Sequence, residues 1–444
     1  MDGGKKTGVL ERLGLSYGMG LGAIAVIMTF LSLAGISFNV FNILAPFILI
    51  VASGVVLKKA FQKPGVEKSK NGHGYSKMNR AELFFFGAIL FEVCFAFFVS
   101  LVKPMESWDA VAHWGAKAKI MYLLKGLPLD IFSKPGIKDA TFTGDYPWLW
   151  PFVQNYIHNF IGRFNDFAPK MAGPFFFASC LVVFYGVLRN VRSTRLHALI
   201  FTFFLASIPH FNAYASNGYA DLILSFYYSV GFIYLYLWFR DKDRAHLIIS
   251  VIFTAMACYV KCEGLLLALV TILTFLSFIL FSERGSKARA FRSFIFYIVT
   301  LAVLSLPMFL LKHATASNIA NQAMSVKLLS DFKVENFHRI LPIIYDYQKQ
   351  FFGIKAWNLV WVLFIISVFL GFKRGVLFGK DVRFLTIALG LVFLAHVSFF
   401  MISGDVTIYL RALNRMLLHF LPLVVFFIAR VFAPELDIYE QEKR

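Results

Sequence analysis

"YPWLWPFVQNYIHNFIG", residues 146–162, is the stretch whose placement decides how the rest of the chain is threaded. It is apolar enough to compete for a place in a bilayer. It is also short, rich in tryptophan at its start, and interrupted by Pro147, Pro151, Gln154, Asn155 and His158. Helices that lie along a membrane interface have this make-up. If the stretch crosses instead, every loop after it changes side.

Outside it, apolar runs recur at roughly 18–37, 40–57, 82–102, 169–188, 196–212, 222–239, 245–260, 262–281, 293–311, 357–372, 383–402 and 414–432. Runs near twenty residues are the signature of spanning helices. With 59% hydrophobic and 16% charged residues, a soluble core is excluded. The expected fold is an all-α polytopic membrane protein of about 12 transmembrane helices, with juxtamembrane helices in the first large outer loop.

Charge fixes the threading. With 146–162 on the outer surface, the loops 58–80, 189–195, 240–246, 282–292 and 372–383 share one side with both termini and hold most of the 44 Lys and Arg. That is the positive-inside bias, and it explains a net charge of +19 without nucleic acid. A crossing at 146–162 would put "RNVRSTR" (189–195) outside. Both termini are therefore expected in the cytoplasm of a cell-membrane (inner-membrane) protein. The first run follows Lys5, Lys6 and Arg12 with no small-residue cleavage site, so it reads as a retained span.

The run 245–281 as one helix would be roughly 55 Å long, against a hydrocarbon core of about 30 Å. It must turn at "VKCEGL", which puts Lys261 and Glu263 outside. The polar segment 58–77 divides residues 1–80, a two-helix hairpin with a basic cytoplasmic loop, from a catalytic membrane domain over 81–434 and a cytoplasmic tail over 435–444. Cys94, Cys180, Cys258 and Cys262 lie in or beside apolar runs without histidine partners, so neither disulfide nor metal is expected. The acids form no octahedral set either; no cofactor is expected, with a divalent ion left open.

This threading delivers the polar motifs to one face. "ESWDAVAHWGAKAKIMY" (106–122), "GDYPW" (144–148), "NGYAD" (217–221), "KCEG" (261–264), the loop 312–356 and "YLRALNR" (409–415) all fall outside. A helix from about Ser107 to Leu124 would set Asp109, His113 and Lys117 along one face, with Glu106 one turn earlier. Each motif has a plainer explanation. Trp108 and Trp114 would sit at headgroup depth while Lys117 and Lys119 snorkel. Asp145 would open a turn before Tyr146, and Asp221 would cap a span. Lys261 and Glu263 would flank a forced hairpin, and Arg411 and Arg415 would snorkel. Those explanations leave acids near a lipid surface with nothing to gain there, whereas a carboxylate at the lip of a bundle can act as a general base. Glu92, in mid-span, must face the bundle interior; His396 is a conceivable partner.

The order of these motifs, with "GDYPWLWPFVQ", "NGYADLILSFYY", "KCEGLLLAL" and "RALNRMLLHFLPL", resembles the C-type integral-membrane glycosyltransferases. Protein O-mannosyltransferases and lipid A aminoarabinose transferases belong to that superfamily. The resemblance covers roughly residues 80 to 432. It implies that Asp109 is the base, with Glu106 as second choice. Trp148 stands where the family's Tyr-Pro-Pro-Leu type motif has a second proline, and two spans before residue 80 depart from the family's pattern, in which the acidic loop follows the first helix.

The chemistry of the residues agrees. A polyprenyl-phosphate sugar has a tail that dissolves in the bilayer and a head at the outer face. Transfer needs a base for the acceptor hydroxyl and cations for the departing phosphate, and Lys117, Lys261 and Arg415 are the candidates. His113, Asp145, Tyr146, Asp221, Glu263 and Arg411 complete the expected substrate-binding set. The expected function is an inverting hexosyl- or pentosyltransferase that moves a sugar to an extracytoplasmic lipid, glycan or protein acceptor. "DFKVENFHRILPIIYDYQKQF" (331–351) would cover the donor or receive the acceptor. A polymerase or ligase using polyprenyl-diphosphate-linked glycans would rely on Arg411 and Arg415 instead. A secondary transporter would place its polar groups at the midplane, and a receptor without chemistry would bind a partner independently of lipid.

Overall fold

The computed structural model describes residues 8–61, 77–130, 146–191, 193–281, 284–315, 334–379, 382–402 and 412–441. Among them the regular structure is entirely helical. In chain order come α1 (Val9–Leu33), α2 (Val40–Phe61), α3 (Arg80–Val102), a π-helical segment (Asp109–Gly115), α4 (Ala116–Leu123) and α5 (Leu149–Ile161). Then follow α6 (Ala172–Asn190), α7 (Arg195–Ala206), α8 (Pro209–Ser216), α9 (Asp221–Asp241), α10 (Arg244–Val260), α11 (Glu263–Leu280) and α12 (Arg284–Thr315). The last are α13 (Ile340–Phe351), α14 (Ile354–Trp357), α15 (Val360–Lys373), α16 (Arg383–Ile402), α17 (Leu413–Leu418) and α18 (Leu421–Gln441).

Each of the twelve apolar runs carries a helix, but they are unequal in length. Among the described residues, seven helices are long and apolar enough to cross a membrane, or eight if α7 and α8, bent by 65°, count as one span. Pro209, which lacks the N–H that a continuous helix needs, starts the second arm of that bend. Val40–Val56, Arg244–Val260, Val360–Lys373 and Leu421–Ala433 are shorter apolar helices. The chain is an all-α, multi-pass membrane protein.

Helix α9 is the centre of the bundle, with every side chain from Leu222 to Phe239 buried. Helices α6, α10, α11 and α18 surround it. The turn expected in 245–281 lies between Val260 and Glu263. It is tight because Gly264 leaves room for the Ala257 carbonyl, which a Cβ would strike.

Helix α1 begins earlier than the run at 18–37 and ends by Leu33. Its additional first turns carry an acid into the bundle: Glu11 is buried and accepts hydrogen bonds from Tyr234 and Asn190. The charge is satisfied inside, so it does not mark the end of the helix. Gly14 and Gly22 lie against α6 and α10, where added Cβ atoms would stand 2.8 Å from Val182 and Met256. Small residues of this kind let membrane helices approach closely. Asn79 and Glu82 cap α3 reciprocally at 2.8 and 2.9 Å. Glu82 also accepts from Arg195 at 2.8 Å, which ties α3 to α7.

Helix α5 is not a free interfacial helix. Its residues Leu149 to Asn155 are buried, its face rests on α1 and α4, and Asn155 donates to the Ala118 carbonyl at 3.2 Å. Glu92 and His396 do not meet. Asn212 donates to Glu92 at 2.8 Å, whereas His396 stacks against Phe420.

Candidate active site

Asp221 opens α9 with no exposed surface. Three cationic or polar side chains converge on its carboxylate. Lys261, from the α10–α11 turn, donates at 2.8 Å. The His419 imidazole, between α17 and α18, lies at 2.8 Å, and Arg415, from α17, reaches it at 3.3 Å. The network continues outward at both ends. Lys261 pairs with Glu263 at 3.0 Å, and Arg415 pairs with Asp109 at 2.7 Å. Residues far apart in sequence thus form one charged chain, Glu263–Lys261–Asp221–Arg415–Asp109.

Exposure is lowest in the middle of it. The Asp221 and Lys261 side chains are 0% and 3% exposed, while Glu263 at one end reaches 26% and Arg415 and Asp109 at the other reach 22% and 31%. The buried middle is an anchor, and the Asp109 end presents a carboxylate beside a guanidinium. A buried ion pair survives only when further partners satisfy it, and Asp221 has three.

The ring faces around the cluster complete it. The Arg415 guanidinium lies 4.9 Å over Tyr219. Gly218, in the left-handed region at φ 83°, turns the chain just before Tyr219, and Trp150 of α5 donates to its carbonyl at 2.8 Å. The stretch 146–162 therefore braces the loop that delivers Asp221. Tyr146 stacks edge-on with His113 at 4.9 Å. The Glu263 charge, with burial, holds the Tyr146 hydroxyl well above its ordinary range, so it stays protonated.

Some expected members stand elsewhere. Lys117 is fully buried, its ammonium 4.6 Å over the Trp148 ring and 5.9 Å over Trp114. It is not a snorkelling lysine, nor does it join the cations at Asp221. The reason is the π winding of Asp109–Gly115: a turn wider than 3.6 residues breaks the expected alignment of Asp109, His113 and Lys117. Trp114 is buried for the same reason, while Trp108 stays 69% exposed. Glu106 is exposed, and its charge acts on Lys170; it is not brought into the cluster. Asp145 and Arg411 lie outside the described residues.

Sequence reasoning missed His419 and Lys312. His419 follows Arg415 by four residues, a helical spacing that places both on one side. Lys312, at the end of α12, lies 3.7 Å from the Cys262 thiol and adds a cation beside the turn. Tyr219, within "NGYAD", was also unassigned.

Helix α13 packs against α16 and α17. An apolar cavity of about 500 Å³ lies along it, lined by Ile343, Tyr347, Phe351, Ile365 and Val397 among others. The cavity is walled by α13, α15 and α16, and α13 itself also packs on the helix that carries Arg415. Residues 316–333 of the same loop lie outside the described residues.

No protein-family model matches the sequence, and no curated protein matches it. Among solved structures, the chain is similar to the oligosaccharyltransferase of Archaeoglobus fulgidus, crystallised in complex with zinc and sulfate, at 12% identity and a TM-score of 0.48. The match covers 79% of this chain and 49% of that one, so the chain spans about half the length of that protein.

Proposed function

We propose that the protein is an inverting glycosyltransferase that moves a sugar from a polyprenyl-phosphate donor to an acceptor outside the cytoplasm. The observation that supports this reading is one end of the ion chain: a part-exposed carboxylate, Asp109, next to an arginine held by a buried aspartate. A base and a phosphate-binding cation are thereby set side by side at one end of an apolar bundle. The motif order of the C-type membrane glycosyltransferases points the same way.

In the proposed step the acceptor oxygen attacks the anomeric carbon and gives its proton to Asp109. The bond from that carbon to the phosphate oxygen breaks, and its electron pair leaves with the polyprenyl phosphate. One carboxylate facing one leaving group gives a single displacement with inversion. The additional negative charge on the departing phosphate falls to Arg415, with Lys261 behind it. Arg415 spans Asp109 and Asp221, so an arriving phosphate competes with Asp109 for the guanidinium. Donor binding would then free the carboxylate to act as a base. The cavity beneath α13 suits the first isoprene units of the tail.

The test is mass spectrometry of lipids that copurify with wild type and Asp109→Asn, together with transfer assays on both. The variant is expected to lose about 10²–10⁴-fold in transfer while accumulating a polyprenyl monophosphate sugar. Wild-type turnover by the variant would remove Asp109 as the base. A diphosphate-linked oligosaccharide on the protein would favour a polymerase or ligase instead.

A further inference from the structure

A second charged site lies at the opposite end of the same helices. Helix α9 runs from Asp221 in the cluster to Asp241, 21 residues or roughly 30 Å away. Helix α10 returns from Arg244 to Val260, beside Lys261. The end of α9, the start of α10, the end of α11 and the start of α12 therefore meet about one hydrocarbon thickness from the cluster. Between them is a cavity of about 330 Å³.

Its walls combine two chemistries. Lys242, Arg244, Arg289 and Arg292 contribute four cations, and no carboxylate is among the described lining residues. Asp241, next to Lys242, is engaged with His246 at 3.1 Å, and Asp243 caps α10 through Ala245 at 2.9 Å. Arg289 and Arg292 stand three residues apart on α12, near neighbours on one side of that helix. Below them the wall is aromatic: the Lys242 ammonium lies 3.8 Å over Phe278 and 4.7 Å over Trp238. Next to the cavity, α11 and α12 expose Leu280 (66%), Phe291 (53%) and Ile295 (45%). These are surfaces for hydrocarbon.

We propose that this cavity holds the phosphate-bearing headgroup of an anionic phospholipid, with its acyl chains running along α11 and α12. Four cations, with no carboxylate among the described lining residues, call for an anion. A cavity of about 330 Å³ has room for a phosphate-bearing headgroup. The exposed leucine, phenylalanine and isoleucine beside the opening select a lipid over a free anion, and basic pockets between membrane helices recognise such headgroups. The site is independent of the transferase reading, because it shares no residue with the cluster.

Full-length protein in nanodiscs of mixed phosphatidylglycerol and phosphatidylcholine tests this by native mass spectrometry. Wild type is expected to retain phosphatidylglycerol selectively. Arg289→Gln/Arg292→Gln, both at exposed positions, should weaken retention roughly thirty-fold, from about a fivefold contribution per charge. Lys287→Gln/Lys373→Gln, exposed cations outside the cavity, should change it little. Equal retention of both lipids, or equal loss in the two double variants, would reduce the effect to general surface charge and overturn the site. Displacement of the lipid by millimolar inorganic phosphate, sensitive to Arg289 and Arg292, would assign the cavity to a soluble anion and overturn the lipid.

Discussion

Burial pushes the pKa of Lys261 down, but the carboxylates of Asp221 and Glu263 outweigh it and hold that pKa above the ordinary lysine value of 10.5. A pKa higher in the folded than in the unfolded chain adds stability that is complete below the unfolded value. That stability is lost as pH rises through the folded value. The unfolding temperature in detergent is therefore expected to fall on the alkaline side, above about pH 10, where the unfolded lysine starts to release its proton first. Lys261→Met should make that fall shallower by removing one linked proton. Identical alkaline slopes in the two proteins would mean that Lys261 is not charged in the fold. The segments that carry Lys261, Asp221 and Arg415 were legible because polar residues at the ends of apolar runs stand out. Their mutual pairing was not, since which end meets which depends on the order in which helices stack. Lys117 shows the limit: its spacing from Asp109 promised a shared face, and a π-helical turn sent it inward between tryptophans.

At the scale of elements, the α10–α11 hairpin sets the position of Lys261 and Glu263. Gly264 permits it, because a Cβ there would fall on the Ala257 carbonyl. Backbone cannot yield as a flexible side chain does, so Gly264→Ala should cost about 1–3 kcal/mol and lower transfer by shifting the turn. Gly87→Ala in α3, where a Cβ would meet nothing within 4 Å, is the control and should be close to neutral. Equal melting temperatures for both variants would refute the close approach. The hairpin itself could be read from length alone, since a single helix would overshoot the bilayer. The burial of α5 could not. Its prolines and polar residues resemble those of an interfacial helix, and the partners that bury it, α1 and α4 among them, and that bond Trp150 to Gly218 and Asn155 to Ala118, come from distant segments.

The whole molecule places its two charged sites at opposite ends of α9. With the cluster outside, Lys119 faces outward and Lys287 lies on the cytoplasmic side, both exposed. In a cysteine-free background, Lys119→Cys should react with a membrane-impermeant thiol reagent in intact cells. Lys287→Cys should react only after permeabilisation. The reverse pattern would turn the molecule over, and the proposed donor would then have to be reached from the cytoplasm.

The sequence by itself determined that the chain is helical, that it crosses a membrane repeatedly, and which segments end together on one side. Hydropathy, helix length and loop charge are local properties, and local properties are written in order along a chain. Only the tertiary structure decided that Asp221 is the buried hub, that His419 completes it, and that Arg415 bridges to Asp109 while Glu106 and Lys117 do not. Those choices follow from how helices dock, where burial selects the acids whose charge a neighbouring helix can match.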